Sequence, residues 1–330
     1  MRIAFFSTKK YDQDSFSSLV KDYGFQIDFL EAKLDHQSAM LAQGHDVVCA
    51  FVNDQIDSKT LEILSKERVK LIALRCAGYN QVDLEKAKEL GIRIVRVPAY
   101  SPEAVAEHTF ALILTLSRKT HKAYNRVRES NFSLEGLTGF NIFQKTVGVI
   151  GTGAIGRAFC KIALGFGCKV LAFDVLENAE MKKIGVQYCS LDKLFAHSQI
   201  ISLHCPLTPD THHIINKKAM EKMKDGTMLI NTSRGALIDT KAVISALKKG
   251  KVGFLGIDVY EQEEDLFFQN LSEQILKDDQ ISRLMTFPNV LITGHQAFLT
   301  KEALHQIAFT TLENIAAFAS DSELVNEVKA

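Results

Sequence analysis

The sequence lacks an excess of charge of either sign. Its 330 residues include 39 Lys and Arg against 39 Asp and Glu, and both signs are spread along the chain. Proteins that bind nucleic acid or an anionic membrane concentrate basic side chains in one field that attracts phosphate groups. We therefore expect no nucleic-acid partner and no membrane partner, and a small molecule is the better candidate.

The sequence also lacks a long apolar run. The most apolar stretch, residues 104–116, is interrupted by Glu107 and His108, whereas a membrane helix needs about 20 consecutive apolar residues. The apolar start, residues 1–6, is too short for the core of a signal peptide and is typical of a first β-strand. These two absences predict a cytoplasmic protein.

Cysteine pairs with the spacing of a metal or redox motif are absent as well. The six cysteines form no C-x-x-C pair, and several lie in apolar, strand-like runs where a thiol acts as a small hydrophobic side chain. We predict that they are reduced and structural. Because no cluster of residues has metal-ligand spacing in the sequence, we also expect no metal.

What is present is a regular alternation of strand-like and helix-like segments. A chain of 330 residues exceeds the roughly 250–300 residues at which a single hydrophobic core stops growing, so two domains are expected. The alternation predicts parallel, doubly wound α/β sheets. In the first part of the chain, strands are predicted at residues 3–6, 26–30, 47–51, 71–74 and 92–95.

A domain boundary is predicted next to a strong helix start. Ser101 can cap the helix, Pro102 suits its first position, and Glu103 lies near the positive end of the helix dipole. A second series of strands follows at residues 146–150, 169–173, 200–203, 228–231, 253–257 and 290–293.

The last helical pattern, at about residues 301–319, follows the final strand and is expected to return to the first domain. We therefore predict that residues 1–100 and 299–330 form one domain. Residues 101–298 form a second domain inserted into the first, so that the chain crosses between them twice.

The second series opens with a glycine-rich turn. The strand at residues 146–150 runs into Gly151-Thr152-Gly153-Ala154-Ile155-Gly156 and then into a helical pattern. Gly151 permits a tight turn, Gly153 lets the backbone approach a pyrophosphate, and Gly156 lets the helix pack closely on the strand. Such a turn can also be purely structural, and S-adenosylmethionine enzymes use similar turns, so the loop alone does not fix a reaction class.

An acidic residue follows the next predicted strand. Asp174 lies eighteen residues after Gly156, where a carboxylate can accept hydrogen bonds from the ribose hydroxyls of a dinucleotide. Its charge repels a 2′-phosphate, and the next residues, Val175 and Leu176, offer no arginine to hold one. This favours NAD over NADP as the cofactor.

Three further motifs lie at the ends of predicted strands, where open α/β sheets bind ligands. Arg234, in residues 231–235, carries a guanidinium that suits a planar carboxylate, although it can equally be a surface arginine in a turn. Glu263 belongs to an acidic run of a kind that is usually solvated. His295 follows the strand at residues 290–293, but one histidine among ten is weak evidence without a partner.

Together these motifs resemble the D-2-hydroxyacid dehydrogenase family over essentially the whole chain. They occur in its order and spacing at residues 151–156, 174, 231–235, 258–263 and 294–300. Residues 75–80, 97–108 and 294–300 are similar to its fermentative D-lactate dehydrogenase branch. Many relatives have proline before the catalytic histidine, and Gly294 at this position also fits that branch. The resemblance implies a flavodoxin-like substrate domain and an inserted Rossmann NAD-binding domain.

The resemblance also implies roles for individual residues. Arg234 binds the substrate carboxylate and polarises its carbonyl, His295 is the acid or base, and Glu263 orients and charges His295. The residues implied in substrate binding, besides Arg234, are Gly78, Tyr79, Tyr100 and Phe298. The residues implied in cofactor binding are Gly151, Gly153, Ala154, Ile155, Gly156, Asp174, Cys205, Pro206, Thr211, Thr232, Ser233, Arg234 and Asp258.

Several functions are compatible with these residues. The resemblance favours reversible hydride transfer between NADH and pyruvate, giving D-lactate, in a homo-oligomer (dimer or tetramer). A dehydrogenase of another small D-2-hydroxy acid uses the same groups. The family also resembles corepressors that sense NAD(H), although the lactate-like local sequence argues against this. Glu107 and His108 suggest a second acid–base pair, but adjacent helical residues point in different directions, so we expect packing or an interface there.

Overall fold

The chain forms two compact units. The structure, a computed structural model, describes residues 1–329, with the backbone alone at Asp265. One unit is Met1–Ser101 together with the chain from Leu299 onward, and the other is Pro102–Phe298. Among the described residues, no helix is both long and apolar enough to cross a membrane. All six cysteines are free thiols, and five of them are buried.

The first unit is built on a mostly parallel sheet. Its strands are β1 (Arg2–Phe5), β2 (Gln26–Phe29), β3 (Val47–Ala50), β4 (Leu71–Leu74), β5 (Arg93–Arg96) and β13 (Glu327–Val328). They run in the order β13-β5-β4-β3-β1-β2, and all pairings among β1 to β5 are parallel. The order 2-1-3-4-5 is that of flavodoxin-like folds.

The edge of this sheet differs from the parallel arrangement that the sequence predicts. β13 pairs with β5 in the antiparallel direction. A strand of two residues is too short to leave a periodic pattern in the sequence. It nevertheless pairs with the open backbone edge of β5, and covered edges protect a sheet from pairing with other chains.

Four helices of the first unit accompany this sheet in the described part of the chain. They are α1 (Lys10–Leu19), α2 (Ser58–Lys66), α3 (Leu84–Glu89) and α12 (Lys301–Ala319). Asp57, Asp83 and Thr300 begin three of them, because each side chain accepts a hydrogen bond from the backbone N–H three residues further on. On α12, Leu312 and Ile315 are buried in the core that also contains residues of β1 and α1. The last long helix therefore completes the first unit.

The second unit contains a parallel sheet. Its strands are β6 (Thr146–Ile150), β7 (Lys169–Phe173), β8 (Gln187–Tyr188), β9 (Ile200–Leu203), β10 (Thr227–Asn231), β11 (Val252–Ile257) and β12 (Val290–Ile292). The order is β12-β11-β10-β9-β6-β7-β8, and every described pairing is parallel. This is the Rossmann order, which reverses between β6 and β9. The loops that follow these two strands therefore lie where such sheets bind ligands.

Eight α-helices of the second unit lie in the described part of the chain. They are α4 (Pro102–Arg118), α5 (Thr120–Arg128), α6 (Ala154–Gly165), α7 (Ala179–Lys183), α8 (Leu191–His197), α9 (Lys217–Lys222), α10 (Thr240–Lys248) and α11 (Asp279–Met285). One hydrophobic cluster joins α4 and α6 to the sheet, with the rings of Phe110 and Phe159 5.6 Å apart. A second cluster joins the sheet to α8, α9, α10 and α11. The two sheet orders confirm the predicted fold class of two doubly wound α/β domains.

Leu312 provides a test of the packing of α12 in the first unit. Its side chain is 0% exposed, so Leu312→Ala leaves a cavity and should lower the free energy of unfolding of this unit by about 2–5 kcal/mol. Phe309 lies on the same helix and is 42% exposed, so Phe309→Ala should change stability by about 0.5 kcal/mol or less. Denaturant titrations followed by circular dichroism measure both variants. Equal losses would show that Leu312 is not a core residue.

Candidate functional site

The turn after β6 has the shape of a phosphate-binding loop. Gly151 has a φ of 94°, which favours glycine. An added Cβ at Gly156, inside α6, would lie 2.0 Å from the carbonyl oxygen of Gly151, whereas one at Gly153 would meet nothing within 4 Å. α6 begins at Ala154, and the N–H groups of its first turn, including that of Ile155, have no partner inside the helix. The loop therefore fits a dinucleotide pyrophosphate at a helix N-terminus.

Asp174 is held in place at the end of β7. Its Oδ2 accepts hydrogen bonds from the backbone N–H and the hydroxyl of Thr152, and its Oδ1 accepts one from the N–H of Leu176 at 3.2 Å. Burial tends to raise the pKa of Asp174, but the hydrogen bonds from Thr152, Leu176 and Val175 outweigh burial and hold this pKa below its usual range. The carboxylate is therefore ionised at neutral pH and retains lone pairs for ribose hydroxyls.

Tyr188 supports this arrangement from the neighbouring strand β8. Its hydroxyl donates to Thr152 Oγ1 at 2.9 Å and accepts the backbone N–H of Asn178 at 3.1 Å. The Thr152 hydroxyl in turn donates to Asp174 at 2.9 Å. This chain of hydrogen bonds orients the carboxylate of Asp174. No sequence pattern identified Tyr188, because a strand of two residues is too short to show one.

Arg234 lies in a turn that the side chain of Asn231 stabilises at the end of β10. Asn231 Nδ2 donates to the carbonyl of Arg234 at 2.8 Å, and Asn231 Oδ1 accepts the N–H of Ser233 at 3.1 Å. The Ser233 hydroxyl donates to the carbonyl of Cys205 at 2.8 Å, which links the turn to the loop after β9. Arg234 Nη1 donates to the carbonyl of Ser233 at 2.7 Å, and no carboxylate that the structure describes forms an ion pair with Arg234. Its guanidinium can therefore bind the carboxylate of a ligand.

Gly235 allows this turn to contact the loop after β11. An added Cβ at Gly235 would lie 2.0 Å from the carbonyl carbon of Tyr260 and 2.4 Å from the backbone nitrogen of Glu261. Only glycine permits such an approach of two backbones. The loop after β11 also contains Glu263, whose Oε2 accepts the N–H of Tyr260 at 2.8 Å. The turn with Arg234 and the loop with Glu263 are therefore neighbours.

His295 and Glu263, paired in the sequence analysis by resemblance, are in direct contact. His295 Nδ1 lies 2.9 Å from Glu263 Oε1, and the two side chains are 18% and 22% exposed. With Nδ1 engaged, Nε2 is the ring nitrogen that can exchange a proton with a ligand. His295 has a left-handed φ of 54°, and its N–H donates to the carbonyl of Asp258 at 2.8 Å. Its surroundings thus hold the histidine in an unusual backbone conformation.

Asp258 organises the loop that carries His295. The Asp258 side chain is 0% exposed. Its Oδ1 accepts the hydroxyl of Thr293 and the N–H of Gln296, the latter at 2.9 Å, and its Oδ2 accepts the N–H of Ala297 at 2.8 Å. Residues on both sides of His295 therefore bind one carboxylate. Contact of Asp258 with the cofactor, which the resemblance implies, stays a prediction.

His108 is a residue of this site that the sequence analysis assigned to packing or an interface. From α4, its Nε2 lies 3.1 Å from Thr293 Oγ1 and 3.4 Å from Asp258 Oδ1. Burial tends to raise the pKa of Asp258, but hydrogen bonds from His108, Thr293 and the loop backbone hold this pKa below its usual range. His108 thus belongs to the network around His295. Local spacing does not indicate this contact, because Thr293 lies 185 residues further along the chain.

The other cofactor candidates lie in the loops after β9 and β10. Cys205 is 7% exposed, and burial raises the pKa of its thiol to about 11, so the thiol is neutral at pH 7. Thr211 closes its own loop by donating to the carbonyl of Pro206 at 2.6 Å. Thr232 Oγ1 lies 2.7 Å from Thr109 Oγ1 of α4. These side chains have structural contacts, and their binding of a cofactor stays a prediction.

The first unit has its own candidate residues, Gly78 and Tyr79, in the loop after β4. Arg96 Nη1 donates to the carbonyl of Ala77 at 2.7 Å, and its guanidinium lies 5.1 Å from the centroid of the Tyr79 ring. Arg75, only 1% exposed, precedes the loop and donates from Nη2 to the backbone of the loop after β1 at 3.0 Å. Arg96 therefore holds this loop, and Arg75 connects its start to the loop after β1. No sequence pattern identified either arginine as a site residue.

Tyr100 and Phe298 are the candidates for apolar contact with a ligand. Tyr100 is half-buried near the end of the first segment of the first unit. Phe298 is the last residue of the second unit and is 8% exposed. The structure thus places Phe298 three residues after His295, in the loop that Asp258 holds. Both side chains make further contacts, and their role toward a ligand stays a prediction.

Comparison with known proteins gives one match to a family model and many to relatives. Residues 110–297 match the model described as D-isomer specific 2-hydroxyacid dehydrogenase, NAD binding domain. The chain is 52% identical over 328 residues to the D-lactate dehydrogenase of Escherichia coli, which covers 99% of this chain and 100% of that protein. The matched model covers the glycine-rich turn, Asp174, Arg234, Glu263 and His295.

Solved structures that are similar to this chain belong to related enzymes as well. A structure reported for the pyruvate reductase of Chlamydomonas reinhardtii has a TM-score of 0.95 and 47% identity, and covers 99% of this chain and 98% of that one. The D-lactate dehydrogenase of Aquifex aeolicus, complexed with NAD and lactic acid, has a TM-score of 0.86 and 35% identity, and covers 99% of both chains. Both similarities extend over the two units rather than over one of them.

Asp174 provides a test of the choice between NAD and NADP. Because its carboxylate is ionised and held by Thr152, it should repel a 2′-phosphate, so kcat/KM should be far higher with NADH than with NADPH. Asp174→Ala should raise KM for NADH and reduce the preference for it by roughly tenfold or more, since a charge interaction of about 1.4 kcal/mol corresponds to tenfold. Initial rates with both cofactors measure this. Comparable kcat/KM values for the two cofactors in the unmodified protein would contradict the assignment.

Proposed function

The chain belongs to the D-isomer specific 2-hydroxyacid dehydrogenases, and we propose that it is a D-lactate dehydrogenase, which interconverts pyruvate and D-lactate with NAD. The observation that carries the proposal is the 2.9 Å contact of His295 with Glu263. The loop that contains Glu263 lies next to the turn that contains Arg234. It supplies an acid–base group and a cation for a keto acid. Relatives named for D-lactate and pyruvate support the choice of substrate.

Arg234 binds the carboxylate of the keto acid and polarises the adjacent carbonyl. A guanidinium presents several N–H donors in one plane, which matches a carboxylate with a neighbouring carbonyl oxygen. The backbone N–H groups of Gly78 and Tyr79, in the loop held by Arg96, are further donors to the carboxylate. We accordingly assign the first unit to the substrate and the second to NAD.

His295 moves the proton of the reaction. It donates a proton from Nε2 to the carbonyl oxygen when pyruvate is reduced, and it removes the hydroxyl proton when D-lactate is oxidised. The bond from Nδ1 to Glu263 keeps the ring in one orientation.

Bound NADH supplies the hydride that adds to the carbonyl carbon. The chain holds its pyrophosphate at the turn from Gly151 to Gly156 and its adenosine ribose at Asp174. Near the nicotinamide, the proposed contacts are Cys205, Pro206, Thr211, Thr232, Ser233, Arg234 and Asp258. Because Arg234 supplies the positive charge that stabilises the developing oxyanion, we expect turnover to need no metal and to survive treatment with a chelator.

Tyr100 and Phe298 limit the substrate to a small apolar group beyond the keto acid. Both are aromatic, and Phe298 is 8% exposed. The cation beside Tyr79 is the guanidinium of Arg96, which is engaged within the loop by the carbonyl of Ala77 and the Tyr79 ring. A methyl group, as in pyruvate, suits these surroundings better than a phosphorylated or branched substituent.

We further propose that the protein is a cytoplasmic homo-oligomer that binds no nucleic acid. Phe132 and Leu134, in the segment after α5, are 73% and 80% exposed. Large exposed apolar side chains that are close together are typical of protein–protein interfaces. A formal net charge of zero and free thiols agree with the other two parts of the proposal.

A panel of 2-keto acids tests the substrate assignment. We expect the highest kcat/KM for pyruvate, with lower values for hydroxypyruvate and 2-ketoisocaproate, because the apolar site takes a methyl group best. Oxidation of NADH measures turnover, and chiral chromatography should identify the product as D-lactate. Preference for a larger or charged acid would favour another dehydrogenase of the family. Tight binding of NADH without turnover of any acid would favour an NAD(H)-sensing, corepressor-like protein.

Glu263→Gln tests the proposed acid–base pair. Glutamine keeps much of the shape of the side chain but removes its charge, so the contact with His295 Nδ1 is no longer charge-assisted and orients the ring less firmly. We expect kcat to fall by roughly tenfold or more for pyruvate reduction and for D-lactate oxidation, because both directions use the same ring. Replacing His295 by Ala should lower both rates by roughly a hundredfold or more. The measurement is kcat and KM in both directions.

Glu264→Gln is the matched control, because Glu264 is the next residue of the same acidic run and is exposed. Its kcat in both directions should equal that of the unmodified protein. If Glu263→Gln leaves kcat unchanged in both directions, then Glu263 does not orient His295. If only Glu264→Gln lowers activity, then Glu264 rather than Glu263 is the carboxylate that acts on His295.

A further inference from the structure

Three potential metal ligands meet in the second unit, apart from the pair of His295 and Glu263. His212, His213 and Glu261 each offer one ligand atom, and these atoms lie within 4.8 Å of one another. His213 Nε2 is 2.7 Å from Glu261 Oε1, and the rings of His212 and His213 stack with centroids 3.9 Å apart. We propose that these three side chains bind one divalent transition-metal ion of the Zn²⁺ type.

The chemistry of the ligand atoms selects this class of ion. Two imidazole nitrogens and one carboxylate oxygen suit Zn²⁺ and similar cations, whereas Ca²⁺ and Mg²⁺ are bound mainly by oxygen. Ligands at about 2.0–2.2 Å from a tetrahedral Zn²⁺ are separated from one another by roughly 3.3–3.6 Å. This separation falls between the 2.7 Å contact of His213 with Glu261 and the 4.8 Å limit of the cluster. Small rotations of the side chains therefore suffice to form the site.

Two of the three ligands are held in position by contacts outside the cluster. His213 has a left-handed φ of 50°, and its N–H donates to the carbonyl of Ala236 at 2.8 Å. Glu261 uses Oε2 to accept the hydroxyl of Thr240 at 2.8 Å, which leaves Oε1 on the side of His213. Carboxylates that bind metals are commonly oriented by a hydrogen bond of this kind. His212 is exposed, so an ion can enter from the solvent and keep water as a fourth ligand.

The ion would join two loops of the second unit. His212 and His213 directly follow Thr211, and Glu261 precedes Glu263 by two residues. Without an ion, one hydrogen bond among the described residues, between His213 and Glu261, connects these loops here. Three metal–ligand bonds in place of that hydrogen bond stabilise the folded form, since an ion that binds the native state alone raises its stability by mass action. The site is thus structural rather than part of the proposed hydride transfer.

Metal titrations of the full chain test the proposal without reference to turnover. After treatment with a chelator, the protein is titrated with Zn²⁺ against a colorimetric competitor, and with Co²⁺, whose visible absorption reports tetrahedral nitrogen and oxygen ligands. We expect one equivalent to bind and the melting temperature to rise. His212→Ala and Glu261→Gln should each weaken binding by roughly a hundredfold or more, because even residues that only orient metal ligands are worth 10–100-fold in affinity.

His197→Ala is the matched control, because His197 is an exposed histidine at the end of α8 in the same unit. This variant should bind Zn²⁺ like the unmodified chain. His212 is also exposed, and Gln at position 261 keeps a hydrogen-bond acceptor for Thr240, so both test variants should melt normally without metal. Absence of one-to-one binding to the unmodified chain would reduce the cluster to an ordinary hydrogen-bonded pair and overturn the proposal. Unweakened binding to His212→Ala, or an equal loss in His197→Ala, would do the same.

Discussion

The carboxylate of Asp258 is removed from water and yet stays ionised, which is unfavourable unless hydrogen bonds replace its lost hydration. The replacing donors include Thr293, Gln296 and Ala297, which lie on both sides of His295. The loop therefore has to adopt the one conformation in which all of them reach the carboxylate. This requirement sets the left-handed backbone of His295 and the position from which its ring meets Glu263. Removal of one such donor should cost about 1.5–3 kcal/mol, because hydrogen bonds to charged groups contribute more to stability than those between neutral groups.

Two glutamates in the loop after β11 each contact a histidine from another loop. Glu261 contacts His213, and Glu263 contacts His295. A 3₁₀ helix begins at Glu263, so the chain turns after Glu261 and this short segment can pair with groups from two different loops. Both histidines have positive φ values. The backbone strain in these loops is thus offset by hydrogen bonds to carboxylates, and Gly235 lets the loops pack closely enough to share them.

The periodicity of the sequence was sufficient to predict most of the fold. All strands of both sheets except β8 and β13, and the helix that ends at Ala319, are long enough to show a regular pattern of apolar residues. The turn from Gly151 to Gly156 has a distinctive spacing. β8 and β13 escaped prediction because two residues do not make a pattern. The antiparallel pairing of β13 was therefore unexpected.

The candidate site was predictable only where a motif or a resemblance named its members. Arg234, Glu263 and His295 were identified in this way. His108 and Tyr188 were not identified, because their partners are distant in sequence and no local spacing indicates the contact. The cluster of His212, His213 and Glu261 was missed for the same reason, since 48 residues separate His213 from Glu261. When the topology of the fold brings together side chains that are distant in sequence, their spacing in the sequence does not reveal the contact.

The insertion of one unit within the other also sets an order of events during synthesis. The second unit is continuous from Pro102 to Phe298, whereas the core of the first combines β1 with α12. A ribosome adds about 5–20 residues per second, so roughly 10–40 s pass between Ser101 and Leu299. Through that interval the emerged strands of the first unit lack the helix that buries their apolar face. The inserted unit can fold first, and the nascent amino-terminal segment is the part of the chain with the greatest need for chaperones.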